Sequence, residues 1–138
     1  MFIFQNEDKS KASNAWSRIL MATDVLEFTP NESLALWSVL AAIYHLGVAS
    51  VGRGPMGKAQ FARAHSAQRA AHCLGTSVED LSRTIFQGTA SQSTLNRKLR
   101  SANEKEGTNL LEGIQQLEGF VIGLYQEVFN GLVYLINR

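Results

Sequence analysis

Hydrophobic residues recur every three or four positions along most of the chain, and this spacing predicts a mainly α-helical fold. It predicts five helices, at about residues 10–26, 30–46, 65–74, 77–86 and 109–137. Thr29, Pro30 and Glu32 form a start signal for the second helix, with a capping hydroxyl, a proline in the first turn and a carboxylate that reaches back. Gly47 and Gly75 are expected to end the second and third helices. No segment predicts a central strand.

The shorter helices are expected to bury one face each. In the first helix, Trp16, Ile19, Leu20 and Leu26 form an apolar face that should lie on another part of the protein. In the third helix, the inward positions are small: Ala67, Ala70 and Ala71, with Leu74. The fourth helix is expected to start at a capping box of Thr76 and Glu79 and to bury Val78, Leu81 and Ile85.

The last helix differs because it is apolar on two faces. One face carries Leu110, Ile114, Leu117, Val121, Leu124, Val128 and Leu135. After Phe120 the opposite face carries Ile122, Phe129, Val133 and Ile136. A helix of this kind is expected inside a larger body and not in a two-stranded coiled coil.

Between the fourth and last helices, residues 87–108 lose this periodicity, and we expect an exposed loop there. Arg97, Lys98 and Arg100 make it the most charged local feature of the chain. Two interpretations stay open: a solvated loop, or an electrostatic contact with an acidic partner that phosphorylation of the neighbouring serines and threonine would regulate.

Composition narrows the class of protein. The chain has 138 residues, 45% of them hydrophobic, which suits one folded domain. Its 13 basic and 12 acidic residues give a net charge of +1, so nucleic acid is not an expected partner. The single cysteine, Cys73, fits a reducing cytoplasm. Gln126, Glu127 and Asn130 interrupt the most apolar window, which argues against insertion into a membrane.

Two patterns imitate functional sites. Gly52, Gly57 and Lys58 have the spacing of a phosphate-binding loop, but Ala59 supplies no hydroxyl for magnesium and Pro55 has no amide hydrogen. We interpret this segment as a turn within a glycine-rich connection, residues 48–63, in which Phe61 is expected to anchor a short extended piece. The imidazoles His45, His65 and His72, with Cys73, do not have the spacing of a zinc site, and no acid/base pair stands out, so no metal ligand or catalytic residue is expected.

A resemblance to the motor domain of myosins, and in particular of class XVIII, is carried by five segments in this order: LWSVLAAIYHLGVAS, GKAQFAR, AQRAAHCLG, VEDLSRTIF and GLYQEVFNGLVYLINR. The family pattern is matched at Ala41 to Gly47, at Ala67 to Gly75 and at Leu132 to Asn137. The resemblance covers most of residues 10–138 and weakens in 87–108.

The resemblance implies a partial motor domain, an all-α segment of the actin-binding region that lies between two nucleotide switches. The motifs G-E-S-G-A-G-K-T, N-x-N-S-S-R-F and D-I-A-G-F are absent from the chain. No cofactor and no ATPase activity are therefore expected of this chain alone, whereas the parent family uses ATP and magnesium.

The implied partners are actin filaments and the rest of the motor domain, in the cytoplasm and associated with the cytoskeleton. The variable segment corresponds to an actin-facing loop in conventional myosins. On grounds of charge, Arg97, Lys98, Arg100 and Lys105 are the expected contacts.

Two alternatives stay open beside the resemblance. A free-standing helical adaptor would bind a partner through its last helix, with Leu117, Val121, Leu124 and Val128 as anchors. A small nucleotide-binding enzyme would use Gly52 to Lys58.

Overall fold

The computed structural model describes residues 6–87 and 102–138. In that part of the chain the protein forms five α-helices and one two-stranded antiparallel hairpin. The helices are α1 (Asn6–Val25), α2 (Pro30–Ala49), α3 (Ala64–Leu74), α4 (Val78–Gln87) and α5 (Ala102–Asn137), and the strands are β1 (Val51–Arg53) and β2 (Ala59–Phe61). The mainly helical fold expected from the sequence is confirmed.

The core forms where four helices meet. Its buried members are Leu46 of α2, Ala70 and Ala71 of α3, Leu81 and Ile85 of α4, and Leu117 of α5. The alanines let α3 approach α2 closely, because they add little side-chain volume between the two backbones. The burial expected for Ala67, Ala70, Leu81 and Ile85 is confirmed.

The start of α2 has the expected cap. The Thr29 hydroxyl accepts a hydrogen bond from the Glu32 amide at 3.2 Å, and the Glu32 carboxylate accepts one from the Thr29 amide at 2.9 Å. Pro30 occupies the first turn, where its missing amide hydrogen leaves no helical bond unmade. Two amides that a helix start leaves without intrahelical partners are satisfied in this way.

α2 continues past Gly47 to Ala49, so the prediction that Gly47 ends this helix is wrong. Ala49 is fully buried, so burial of the last turn outweighs the tendency of glycine to end a helix. The chain leaves the helix at Ser50, whose φ is 50°. The Arg63 guanidinium donates to the Val48 carbonyl at 2.7 Å and satisfies one of the last carbonyls.

The junction of α3 and α4 confirms Gly75 and corrects Thr76. Gly75 adopts a left-handed φ of 69°, and the Thr76 amide donates back to the Ala71 carbonyl at 3.0 Å. Thr76 therefore belongs to the end of α3. The cap of α4 is Ser77, whose hydroxyl accepts from the Asp80 amide at 3.1 Å, so the expected box of Thr76 and Glu79 is wrong by one residue.

The hairpin holds α5 against the core. Val51 pairs with Phe61 and Arg53 with Ala59, and the Phe61 ring meets Phe86 of α4 edge to face at 5.2 Å. Gly113 of α5 lies against this hairpin so closely that a Cβ atom there would come within 2.5 Å of the Ala59 Cβ. The extended piece expected at Phe61 is present, paired with a second strand that the sequence did not indicate.

Two helix starts also differ from expectation. α1 begins at Asn6, four residues earlier than expected, and ends at Val25. α5 begins at Ala102 and not at 109, so residues 102–108 of the expected loop are helical. That stretch contains alanine, lysine and glutamates, which favour helix without apolar periodicity. With 36 residues, α5 is about 54 Å long.

Candidate interaction surface

A continuous exposed apolar surface lies along the outer side of α5. Five apolar side chains recur there three or four residues apart, and each is between 43% and 65% exposed: Ile122, Tyr125, Phe129, Val133 and Ile136. Neighbouring Tyr134 is 71% exposed. We call Ile122, Tyr125, Phe129, Val133 and Ile136 the outer stripe. Side chains at this spacing lie on one face of a helix, so the stripe is continuous over about four turns. Large exposed apolar patches mark interaction sites in folded proteins.

The inner face of the same helix is already used. Leu117 is buried, and Phe120, Val121 and Leu124 pack against the core. Of the four anchors named for an adaptor, Leu117, Val121 and Leu124 therefore face the protein itself. Val128 lines a groove between α5 and α2. A partner that binds the outside of α5 would meet the outer stripe instead.

The first helix also exposes apolar side chains. Trp16, Ile19 and Leu20 are 46%, 45% and 43% exposed. The Trp16 ring meets the Trp37 ring of α2, with centroids 4.8 Å apart and planes tilted by 59°. The expectation that α1 lies on another element is met at this contact, although Trp16, Ile19 and Leu20 each keep more than two fifths of their surface exposed.

An ion pair joins the end of α5 to the start of α2. The Arg138 guanidinium donates to both oxygens of Glu32, at 2.9 Å for Nη2 to Oε2, and to the Glu27 carbonyl at 3.0 Å. The guanidinium, followed by the Thr29 amide, lowers the pKa of the Glu32 carboxyl. The same contact raises the pKa of Arg138. No sequence signal indicated this pair, because its members are 106 positions apart.

The segment with phosphate-loop spacing is the turn of the hairpin. Its amides are used internally: Gly54 donates to the Lys58 carbonyl at 2.7 Å, Gly57 to Gly54 at 3.2 Å and Lys58 to Pro55 at 3.4 Å. A phosphate loop instead directs its amides at the ligand and leads into a helix. Here β2 follows Lys58, so the interpretation as a turn is confirmed.

The charged residues named from the sequence are placed only in part. Arg97, Lys98 and Arg100 lie outside the described residues. Lys105 is the fourth residue of α5, and its side chain also lies outside them. Within the described ranges, no three histidine, cysteine or acidic side chains come together as metal ligands.

Two helices pass a test of length and composition for crossing a membrane. They are Pro30–Ala49 and Asn109–Asn137. In the apolar 18-residue stretch of each helix, 17% and 0% respectively is buried in the protein. Core helices of soluble proteins pass the same test, and α2 carries the buried residues Ala42, Leu46 and Ala49. The expectation that neither inserts into a membrane stays a prediction.

Comparison with known proteins shows a similarity to unconventional myosins. Unconventional myosin-XVIIIa of Mus musculus is 40% identical over an alignment of 139 residues. The alignment covers 96% of this chain and 7% of the mouse protein. Unconventional myosin-XVIIIb of Homo sapiens is 38% identical over 138 residues, which cover 96% of this chain and 5% of the human protein. No family model and no solved structure matches the chain.

The chain is thus a myosin segment, related to those proteins over nearly its whole length. It belongs to the unconventional class XVIII myosins and corresponds to a short stretch of the relatives that it matches.

Proposed function

We propose that the chain forms part of the motor domain of a class XVIII myosin and helps that domain to attach to actin filaments. The observation that supports membership of a larger motor domain is the outer stripe: α5 is packed on its inner face yet carries five large apolar side chains outward. A helix that is apolar all round belongs inside a larger body. The remainder of the motor domain is the body proposed to cover it.

In this proposal the chain contributes no ATPase chemistry of its own. ATP and magnesium would be held by parts of the motor domain whose motifs this sequence lacks. The amides of the glycine-rich turn bond within the turn, and Lys58 is exposed beside them. The parent protein would act as an actin-associated, ATP-binding motor or tether in the cytoplasm.

The contact with actin is proposed to involve Arg97, Lys98, Arg100 and Lys105. These residues form the most basic part of a chain whose net charge is only +1. An acidic filament would attract such a cluster, and the attraction would weaken as salt screens the charges.

Charge reversal tests this contact. In the parent myosin, the combined substitutions Arg97→Glu, Lys98→Glu and Arg100→Glu should reduce co-sedimentation with actin filaments and flatten its dependence on salt. A matched control reverses three exposed charges of the described helices: Lys11→Glu, Arg18→Glu and Arg69→Glu. It changes net charge equally and should bind nearly as the parent does. Equal losses in both variants would mean that only overall charge matters and would refute the proposed contact.

A further inference from the structure

A groove separates the first half of α2 from the last third of α5, on the faces that the two helices turn toward each other. Its volume is about 370 Å³, which falls in the usual range for sites that bind small molecules. The groove exists because small residues stand where the helices face each other: Ala35 on α2 and Gly131 on α5. A Cβ atom at Gly131 would meet no other atom within 4 Å.

The floor and walls of the groove are apolar. They are formed by Leu36 and Val39 of α2 and by Leu124, Val128, Leu132 and Leu135 of α5. Water in such a groove finds few hydrogen-bond partners, so its replacement by hydrocarbon is favourable.

The two carboxylates on the lining differ in their surroundings. Glu32 is paired with Arg138 and bonded to the Thr29 amide. The Glu127 side chain is exposed at the rim, and its carboxylate makes no hydrogen bond or ion pair with any other described residue. The charge that the lining leaves uncompensated in this part of the chain is therefore negative, and it stands beside an apolar slot.

We propose that this groove is a binding site for amphipathic cations, that is, small molecules with an apolar body and one protonated amine. The body lies between α2 and α5, and the amine lies at the rim near the Glu127 carboxylate. The proposal rests on the groove and on Glu127. It does not depend on the basic cluster or on actin.

Three eight-carbon probes that differ only in the head group test the preference for a cation: octylammonium, 1-octanol and octanoate. Because the outer stripe is expected to make the unmodified chain aggregate, binding is measured on the 138-residue chain that carries Ile122→Gln and Phe129→Gln, whose exposed positions lie on the outer stripe. It is followed by amide chemical shifts of Ala35 to Val39 and Leu124 to Leu135 in NMR titrations. Octylammonium should bind about two- to fivefold more tightly than octanol, as expected for one exposed ion pair, and octanoate should bind most weakly. Equal affinities, or tightest binding of octanoate, would overturn the preference for a cation.

Two substitutions with matched controls locate the site. Gly131→Leu fills the groove and should remove binding of all three probes, whereas Gly123→Leu, on an exposed part of the same helix, should leave it unchanged. Glu127→Gln should remove the difference between octylammonium and octanol, whereas Glu118→Gln should retain it. Probe binding that survives Gly131→Leu would place the ligand elsewhere, for example on the outer stripe.

A second copy of the chain is the competing occupant of the groove. It would appear as a dimer in sedimentation experiments that Gly131→Leu dissociates, without binding of octylammonium to the groove. That result would also overturn the proposal.

Discussion

Glu32 stabilises two separate parts of the molecule with one carboxylate. Its Oε2 atom accepts from the Thr29 amide and from Arg138 Nη2, each at 2.9 Å, and Oε1 faces Arg138 Nη1. The first contact closes the start of α2, and the second joins α5 to it. Substitution by glutamine keeps an oxygen for the Thr29 amide and removes the charge, so it isolates the contribution of the ion pair.

The lowered pKa of Glu32 gives this ion pair a defined dependence on pH. Because the folded protein binds the Glu32 proton less tightly than the unfolded chain, the contribution to stability is present above the unfolded pKa, about 4.3 for glutamate. It is lost as pH falls through the folded pKa. We expect Glu32→Gln to lower the thermal midpoint at about pH 7 and to have progressively less effect toward about pH 3.

The control for this prediction is Glu118→Gln, which removes an equal charge from an exposed position of α5. It should not reproduce the trend. A constant difference in thermal midpoint between the unsubstituted chain and Glu32→Gln across the pH range would show that the charge of Glu32 does not stabilise the fold.

For single residues, the sequence predicted contacts between neighbours along the chain and missed contacts between residues far apart in the sequence. The roles of Thr29, Pro30 and Glu32 in the cap were predictable because a capping box is completed within four residues. The contact of Glu32 with Arg138 was not, because it depends on how α2 and α5 lie across the molecule. The groove was unpredictable for the same reason: Ala35 and Gly131 look ordinary until the two helices face each other.

At the boundary between α3 and α4, two adjacent hydroxyl residues have different roles, one at the end of a helix and one at the start of the next. Thr76 contributes its backbone amide to the end of α3, and Ser77 contributes its hydroxyl to the start of α4. Both residues suit an N-cap by type. The left-handed turn at Gly75 decides between them, because it consumes the next amide in closing the preceding helix.

This division predicts unequal effects of two similar substitutions. Ser77→Ala should lower the free energy of unfolding by about 1 kcal/mol, the usual loss when a capping oxygen is removed. Thr76→Ala keeps the amide and should change stability much less. Urea denaturation of both variants measures the difference, and equal losses would contradict the assignment of Ser77 as the cap.

Other element boundaries depended on burial that the sequence does not display. Gly47 and Gly75 both follow apolar stretches of the sequence, yet only Gly75 ends a helix. Beyond Gly47, burial of Ala49 and the contact from Arg63 carry α2 two residues further. The start of α5 was missed because residues 102–108 have no apolar face, although their alanine, lysine and two glutamates favour helix.

The outer stripe distinguishes two interpretations of the whole molecule, a segment of a motor domain and a free-standing adaptor. A motor-domain segment exposes this surface when it stands alone, whereas a free-standing adaptor would fold cooperatively and stay soluble without a cover. The two apolar faces of α5 were predicted from the sequence. Which face is covered within this chain required the structure.

We expect the isolated chain to bind the hydrophobic dye ANS and to aggregate, and Ile122→Gln with Phe129→Gln to reduce both effects without loss of helical circular dichroism. The reason is that both side chains are more than 60% exposed, so little packing is lost. Leu117→Gln, on the buried face, is the contrasting variant and should destabilise the fold. A sharp thermal transition of the unsubstituted 138-residue chain, without ANS binding, would favour the free-standing adaptor.

The contact between α1 and α2 gives the protein a built-in optical probe. Trp16 and Trp37 are the two tryptophans of the chain, and they touch each other. Indole emission from the intact chain consequently comes from that single junction. Any event that lifts α1 from α2 would shift the emission spectrum, so the docking of this helix is readable in solution without an attached label.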